Sequence, residues 1–226
     1  GTHRFRVCSD SFLGESEQDE AADLFLVARQ AKSTTEGTLD PNLFFASTIA
    51  WNASGAAQAP DFQNILHATE LVLFSANLSF GEIRYHDMPT SLVSSSAEEV
   101  SERGSQAALE LDHGVNVFFT KTLFDGQGFS ASPGSMVSGT RSSGVVIKTD
   151  KASDEEAAQQ GFVNVPLHRI LAHELGHFLG LNHTQEISAA LGQDVFEDTP
   201  NDDPLYLMHR QPLGDSLSDG QKSVML

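Results

Sequence analysis

HELGHFLGLNH, residues 173–183, constrains the fold more than any other stretch of this chain. Histidines four apart project from one face of an α-helix, separated by about 6 Å of rise. His173 and His177 therefore predict a helix. Gly180 can take a left-handed conformation and end that helix, so that the chain turns back and His183 joins the other two imidazoles. Upstream, Asn164 can cap the helix and Pro166 suits its first turn. A buried helix has little use for three imidazoles, whereas one metal ion would use all of them. Both helical rings can reach a single zinc ion at about 2.0–2.1 Å, and three histidines leave the fourth tetrahedral position to water, as in catalytic sites. Glu174, beside His173, can contact that water without being a ligand, which is the place of a general base. The other histidines (3, 67, 86, 113, 168 and 209) have no comparable spacing and read as ordinary surface or core imidazoles.

The rest of the chain supplies alternating strand and helix signals without any internal repeat. HRFRVC (3–8) reads as a short strand and residues 17–32 as a helix. LFFASTIAWN (43–52) is a strand by its aromatic and β-branched content, and ASGAAQAP after it is a loop. Asp61 can cap a helix running to about Ala76, with Phe62, Ile65, Leu66, Thr69 and Leu73 on one face. Further strands are expected at 78–86, 114–123 and 144–149, with a helix over 97–110 and a Gly/Ser-rich loop between the last two strands. Ser218 can cap a short final helix.

With 226 residues, 39% of them hydrophobic, the chain can bury one large core. The excess of 31 acidic over 13 basic residues gives a formal charge of −18, which repels phosphate backbones and disfavours nucleic-acid binding. No apolar run approaches the length of a membrane span. GTHRFRV lacks the apolar stretch of a signal peptide. Cys8 is the only cysteine, so an intrachain disulfide is impossible.

The extended motif at 173–183, with Met208 in LYLMHR downstream, resembles the signature of the metzincin zinc metallopeptidases, in which HExxHxxGxxH is followed by a Met-turn. HELGHFLGLNHT, then EDTP (197–200), LM (207–208) and LSDGQKSVM (217–225), is most similar to the pappalysin-type family, over about residues 161–226. The chain differs from that family in lacking paired cysteines and in carrying His209 and Arg210 where the turn usually continues Asp-Tyr. The resemblance implies an α+β fold: a metzincin-like catalytic domain with a twisted mixed β-sheet and two long helices. The zinc helix would end at Gly180, above a loop-rich lower subdomain in which Met208 floors the three histidines. It also implies zinc as cofactor, His173, His177 and His183 as its ligands, Glu174 as catalytic base, and hydrolysis of protein or peptide substrates. Segment 134–148 would form the rim that pairs with substrate, and residues 208–216 would line the pocket beyond the cleaved bond. A monomer is expected, secreted or extracytoplasmic, with the signal peptide not in this chain. The alternative is an inactive binding or adhesion module that keeps the zinc fold, against which the intact Glu174 argues.

Two further expectations concern the flanks. DVFEDTPNDDP (194–204) is an oxygen-rich loop of a kind that binds calcium, with Asp198, Thr199, Asp202 and Asp203 as candidate ligands. A plain solvated acidic loop is the other reading. If the catalytic domain spans 43–226, residues 1–42 form an N-terminal extension, a candidate propeptide. Its Cys8 thiolate could then take the open zinc position and hold the enzyme as a zymogen. The competing reading makes HRFRVC the first sheet strand, with Cys8 a small buried hydrophobe.

Overall fold

A computed structural model of the chain describes residues 35–46, 51–88, 94–107, 114–123, 128–131, 134, 143–149, 165–185, 194–200, 202–211 and 213–226. The expected elements at 3–8 and 17–32, together with Cys8 and Asn164, lie outside the described residues.

Strands β1 (Gly37–Leu39) and β2 (Pro41–Ala46) open the described fold, followed by helices α1 (Ala53–Ala56) and α2 (Pro60–Phe74). Then come β3 (Leu78–Phe80), β4 (Arg84–Met88), β5 (Ser94–Ser95) and α3 (Ala97–Ala107). Strands β6 (Val115–Thr120), β7 (Thr122–Leu123), β8 (Gly128–Phe129) and β9 (Gly144–Lys148) precede helices α4 (Leu167–Phe178) and α5 (Asp219–Met225).

One five-stranded sheet, ordered β4-β2-β6-β9-β8, organises the molecule. Its first four strands run parallel, and β8 lies antiparallel to β9 at the edge. Every residue of PNLFFA in β2 and VNVFFT in β6 is buried, as parallel strands covered on both faces require. Side chains alternate between two cores. Leu43, Phe45, Val117, Phe119, Val145 and Ile147 meet α2 and α4 on one face. Phe44, Phe118 and Val146 meet Ala97 and Val100 of α3 on the other. The first core is keyed by aromatic rings: Phe45 stacks on Phe119 at 5.1 Å, and Phe62 from α2 sets its edge against both. Such pairs add about 0.5–1.5 kcal/mol each beyond the area they bury. The helices thus divide between the faces, instead of gathering on one side of the sheet.

Local chemistry moved several expected boundaries. The strand expected over 43–52 is formed at 41–46, and the loop after it contains α1, whose cap Asn52 accepts from the Gly55 amide at 2.7 Å. Pro60 occupies the first position of α2 after Ala59, so Asp61 sits inside the first turn and is not the cap. There its charge still favours the helix N-terminus. The expected strand 78–86 divides at Gly81: the Gly81 amide donates to Leu39 O at 2.8 Å and the Glu82 amide to Asp40 Oδ1 at 2.9 Å. Those bonds leave β3 paired with β1 and send β4 to β2 in the main sheet.

Candidate metal centre

Helix α4 is buried from Ile170 through Phe178, so its polar side chains are held inside the molecule. Pro166 is its cap residue, so the helix starts at Leu167, two residues later than a cap at Asn164 would give. At the other end Gly180 has φ of 109°. The Gly180 amide donates to His177 O at 2.9 Å and the Leu181 amide to Gly176 O at 3.0 Å. This is the Schellman pattern of a helix closed by a left-handed residue. A side chain at Gly180 would be strained there, so Gly180→Ala is expected to cost about 1–2 kcal/mol. It should also weaken zinc binding, because His183 rides on this turn; a Tm and zinc affinity both unchanged would refute that expectation.

The turn brings three ring nitrogens together. His173 Nε2 lies 3.1 Å from both His177 Nε2 and His183 Nε2, and the latter two are 3.0 Å apart. Zinc bonds of about 2.0–2.1 Å in a tetrahedron separate neighbouring ligand atoms by about 3.3 Å, so the triangle is close to the size that zinc needs. Protonation supports the fit. His173 Nδ1 donates to Leu207 O at 2.6 Å and His177 Nδ1 to Leu181 O at 2.8 Å. A carbonyl can only accept, so in the neutral rings both Nε2 atoms point lone pairs into the same small space. A cation relieves that arrangement, and the two carbonyls fix tautomer and orientation as outer partners of metal-bound histidines do. Among the described residues this trio is the one group of three or more His, Cys, Asp or Glu placed to share an ion.

Burial holds the His173 ring well below the usual 6.5, assisted by the neighbouring His177 and His183. Burial and His183 likewise bring His177 down to about 4. Both rings are therefore neutral, and free to bind metal, at pH values where an exposed histidine is largely charged. The neutral rings stabilise the metal-free fold fully above about pH 6.5, and that contribution is lost as pH falls through about 4. Zinc should accordingly stay bound to about pH 5 in a dye-competition titration. Release centred near 6.5 would show that the rings are not shielded.

Glu174, the residue after His173 on α4, is only 7% exposed. Burial pushes its carboxyl up from 4.5 to about 8, and a backbone N–H from Ser130 partly offsets this. Met208 is fully buried, and its Sδ lies 2.6 Å from where a Cβ on Gly176 would stand. The methionine thus packs under the helix between the two histidine positions. The Thr184 amide donates to Met208 O at 2.9 Å, tying the turn after His183 to the same segment. His209 is buried with Nε2 3.2 Å from Asp202 Oδ1, and its charge would oppose protonation of His173.

The four candidate calcium ligands are not gathered. Asp198 Oδ2 accepts from the Gly220 amide at 2.9 Å, which holds its carboxyl below the usual range. Thr199 donates to Ser218 Oγ at 2.9 Å, Asp203 accepts from the Leu205 amide at 3.0 Å, and Asp202 faces His209. Ser218 and Gln221 form a capping box on α5, and Gln221 Nε2 donates to Asp194 Oδ2 at 2.8 Å. Much of the acidic loop is therefore spent on fastening itself to the start of α5. Of the expected rim 134–148, residues 135–142 lie outside the described residues and β9 is interior to the sheet, whose edge strands are β4 and, beside β9, β8 at 128–129. Sequence reasoning missed Leu207 and Leu181, which act through backbone carbonyls and leave no residue-type signal. It missed Asp194 as well, whose partner Gln221 lies inside the recognised run 217–225.

Residues 110–212 match the M43 peptidase family model, described as pregnancy-associated plasma protein-A. That stretch is pappalysin-like. The matched stretch is similar to a metallopeptidase family, and it contains all three histidines, Glu174 and Met208. No curated protein matches the chain. A solved structure described as a chaperone-substrate complex is similar, with a TM-score of 0.52 and 13% identity over 84% of this chain. At that identity the likeness concerns the fold alone. This chain spans 33% of the length of that one. Among the described residues no helix of the pappalysin-like chain is long and apolar enough to cross a membrane.

Proposed function

We propose that this protein is a zinc-dependent endopeptidase in which His173, His177 and His183 hold the ion and Glu174 is the general base. The observation that carries the reading is the convergence of three Nε2 atoms within 3.1 Å, beside a carboxyl buried on the same helix. Zinc bound there would supply Lewis acidity, polarising a peptide carbonyl and acidifying a water. Glu174 would take the proton from that water and pass it to the leaving amine nitrogen. The backbone of β8 would align an extended substrate by strand addition. Met208, in the role of a Met-turn, would give the ligand triangle its apolar floor. Digestion of denatured casein by the zinc-loaded chain, abolished by chelator and restored by zinc, tests the reading. Intact casein under those conditions, with the Cys8→Ala variant as well as the wild-type chain, would favour the binding module.

The N-terminal extension enters the same proposal. If Cys8 is an inhibitory zinc ligand, Cys8→Ala should make the full chain active at once. Cleavage ahead of β1, between about residues 32 and 36, should do the same. Equal activity of the wild-type chain, the variant and the trimmed form would remove the latch. The place of action proposed is outside the cytoplasm.

A further inference from the structure

Strand β8 and the residues after it lie along one face of α4. Their alternation sends Phe129 towards the α3 core, which leaves Gly128 and Ser130 facing α4. A Cβ on Gly128 would stand 2.6 Å from Glu174 Oε1, 2.7 Å from Cγ and 2.9 Å from Cδ. Farther along, a Cβ on Gly134 would overlap the Phe178 ring, and the Gly134 amide donates to Phe178 O at 3.0 Å. Glu174 and Phe178 are one helical turn apart on the same face. Each is thus met by a residue without a side chain.

We propose that β8 seats Glu174, and that Gly128 is a positioning residue whose missing side chain is the space the Glu174 side chain occupies. The functional consequence rests on the role proposed above for Glu174; the contact itself does not. Gly128 does not have a left-handed φ, so its backbone would accept alanine and the obstacle is Glu174. The clash begins at Cγ and extends to the carboxyl oxygen, so an added methyl forces the carboxyl to swing or the strand to lift. Either movement misplaces the proton acceptor, and misplacement near 1 Å can cost about a hundredfold in rate.

The experiment is a set of variants in the zinc-loaded full chain: Gly128→Ala and Gly134→Ala, each alone and combined with Glu174→Ala. Gly128→Ala should lower kcat roughly a hundredfold with KM and zinc content unchanged. It should also lower Tm by about 3–10 °C. In the Glu174→Ala background that loss of Tm should vanish or reverse, because alanine in a strand is otherwise no worse than glycine. The loss caused by Gly134→Ala should persist there, since its obstacle is Phe178. The proposal is overturned if Gly128→Ala keeps full kcat, if its Tm loss survives removal of Glu174, or if Glu174→Ala relieves both glycine variants equally. Should neither the wild-type chain nor its Cys8→Ala variant hydrolyse any peptide, the role of Glu174 fails, while the Tm comparison still decides the contact.

Discussion

Glu174→Gln is expected to lose peptide hydrolysis by about 10²–10⁴-fold while zinc content stays at the wild-type level, since the amide cannot accept and relay a proton. The stability effect should have the opposite sign. Burial raises the Glu174 carboxyl from 4.5 to about 8, so the folded chain prefers it protonated. Its contribution to the fold is fully present below about pH 4.5 and is lost as pH rises through about 8. In the zinc-free protein, the Tm of Glu174→Gln should therefore gain on that of the wild type as pH increases across this window. Scanning calorimetry at several pH values measures the gap. A gap independent of pH would mean that the carboxyl is not desolvated, and undiminished turnover would remove Glu174 from the chemistry.

Stripping zinc should lower Tm by about 8–16 °C relative to protein with zinc a thousandfold above its Kd, the binding free energy then adding roughly 4 kcal/mol to the folded state. The physical cause lies in the ligand triangle: without a cation, lone pairs of His173 and His177 face each other across 3.1 Å. Zinc added back should restore the transition fully. Calcium should add nothing to zinc-loaded protein, because Asp198, Thr199, Asp202 and Asp203 already have separate partners. If chelation removes the metal and the transition does not move, the trio contributes nothing to the fold.

The three histidines and Glu174 were legible because their chemistry is carried by residue type at helical spacing, and Gly180 because one conformation there excludes most other residues. The central strands were legible for a related reason: runs such as LFFA and VNVFF have no polar face and must be covered on both sides. What stayed hidden depends on contacts between distant segments. Strand β8 is only two residues long and lies in a stretch composed like a loop; its identity comes from pairing with Val146 and Ile147. The division at Gly81 is imposed by Leu39 O and Asp40, over 40 residues upstream. The acidic loop misled through composition, since carboxylates bound to amides and carboxylates around a cation look alike in sequence.

The two outer partners of the ligand rings, Leu207 O and Leu181 O, belong to the main chain. Alanine scanning is blind to such groups: exchanging either leucine removes apolar packing and leaves the acceptor in place. Side chains at both positions can therefore drift, provided that the core stays filled, without any change in how the imidazoles are aimed. An ester substituted for the amide after Leu207, which weakens the carbonyl as an acceptor, is the kind of chemical change that would reach them. The orientation of His173 also depends on a segment more than thirty residues later in the chain. During synthesis, the ribosome must release that segment before the first ligand can be locked in its final direction.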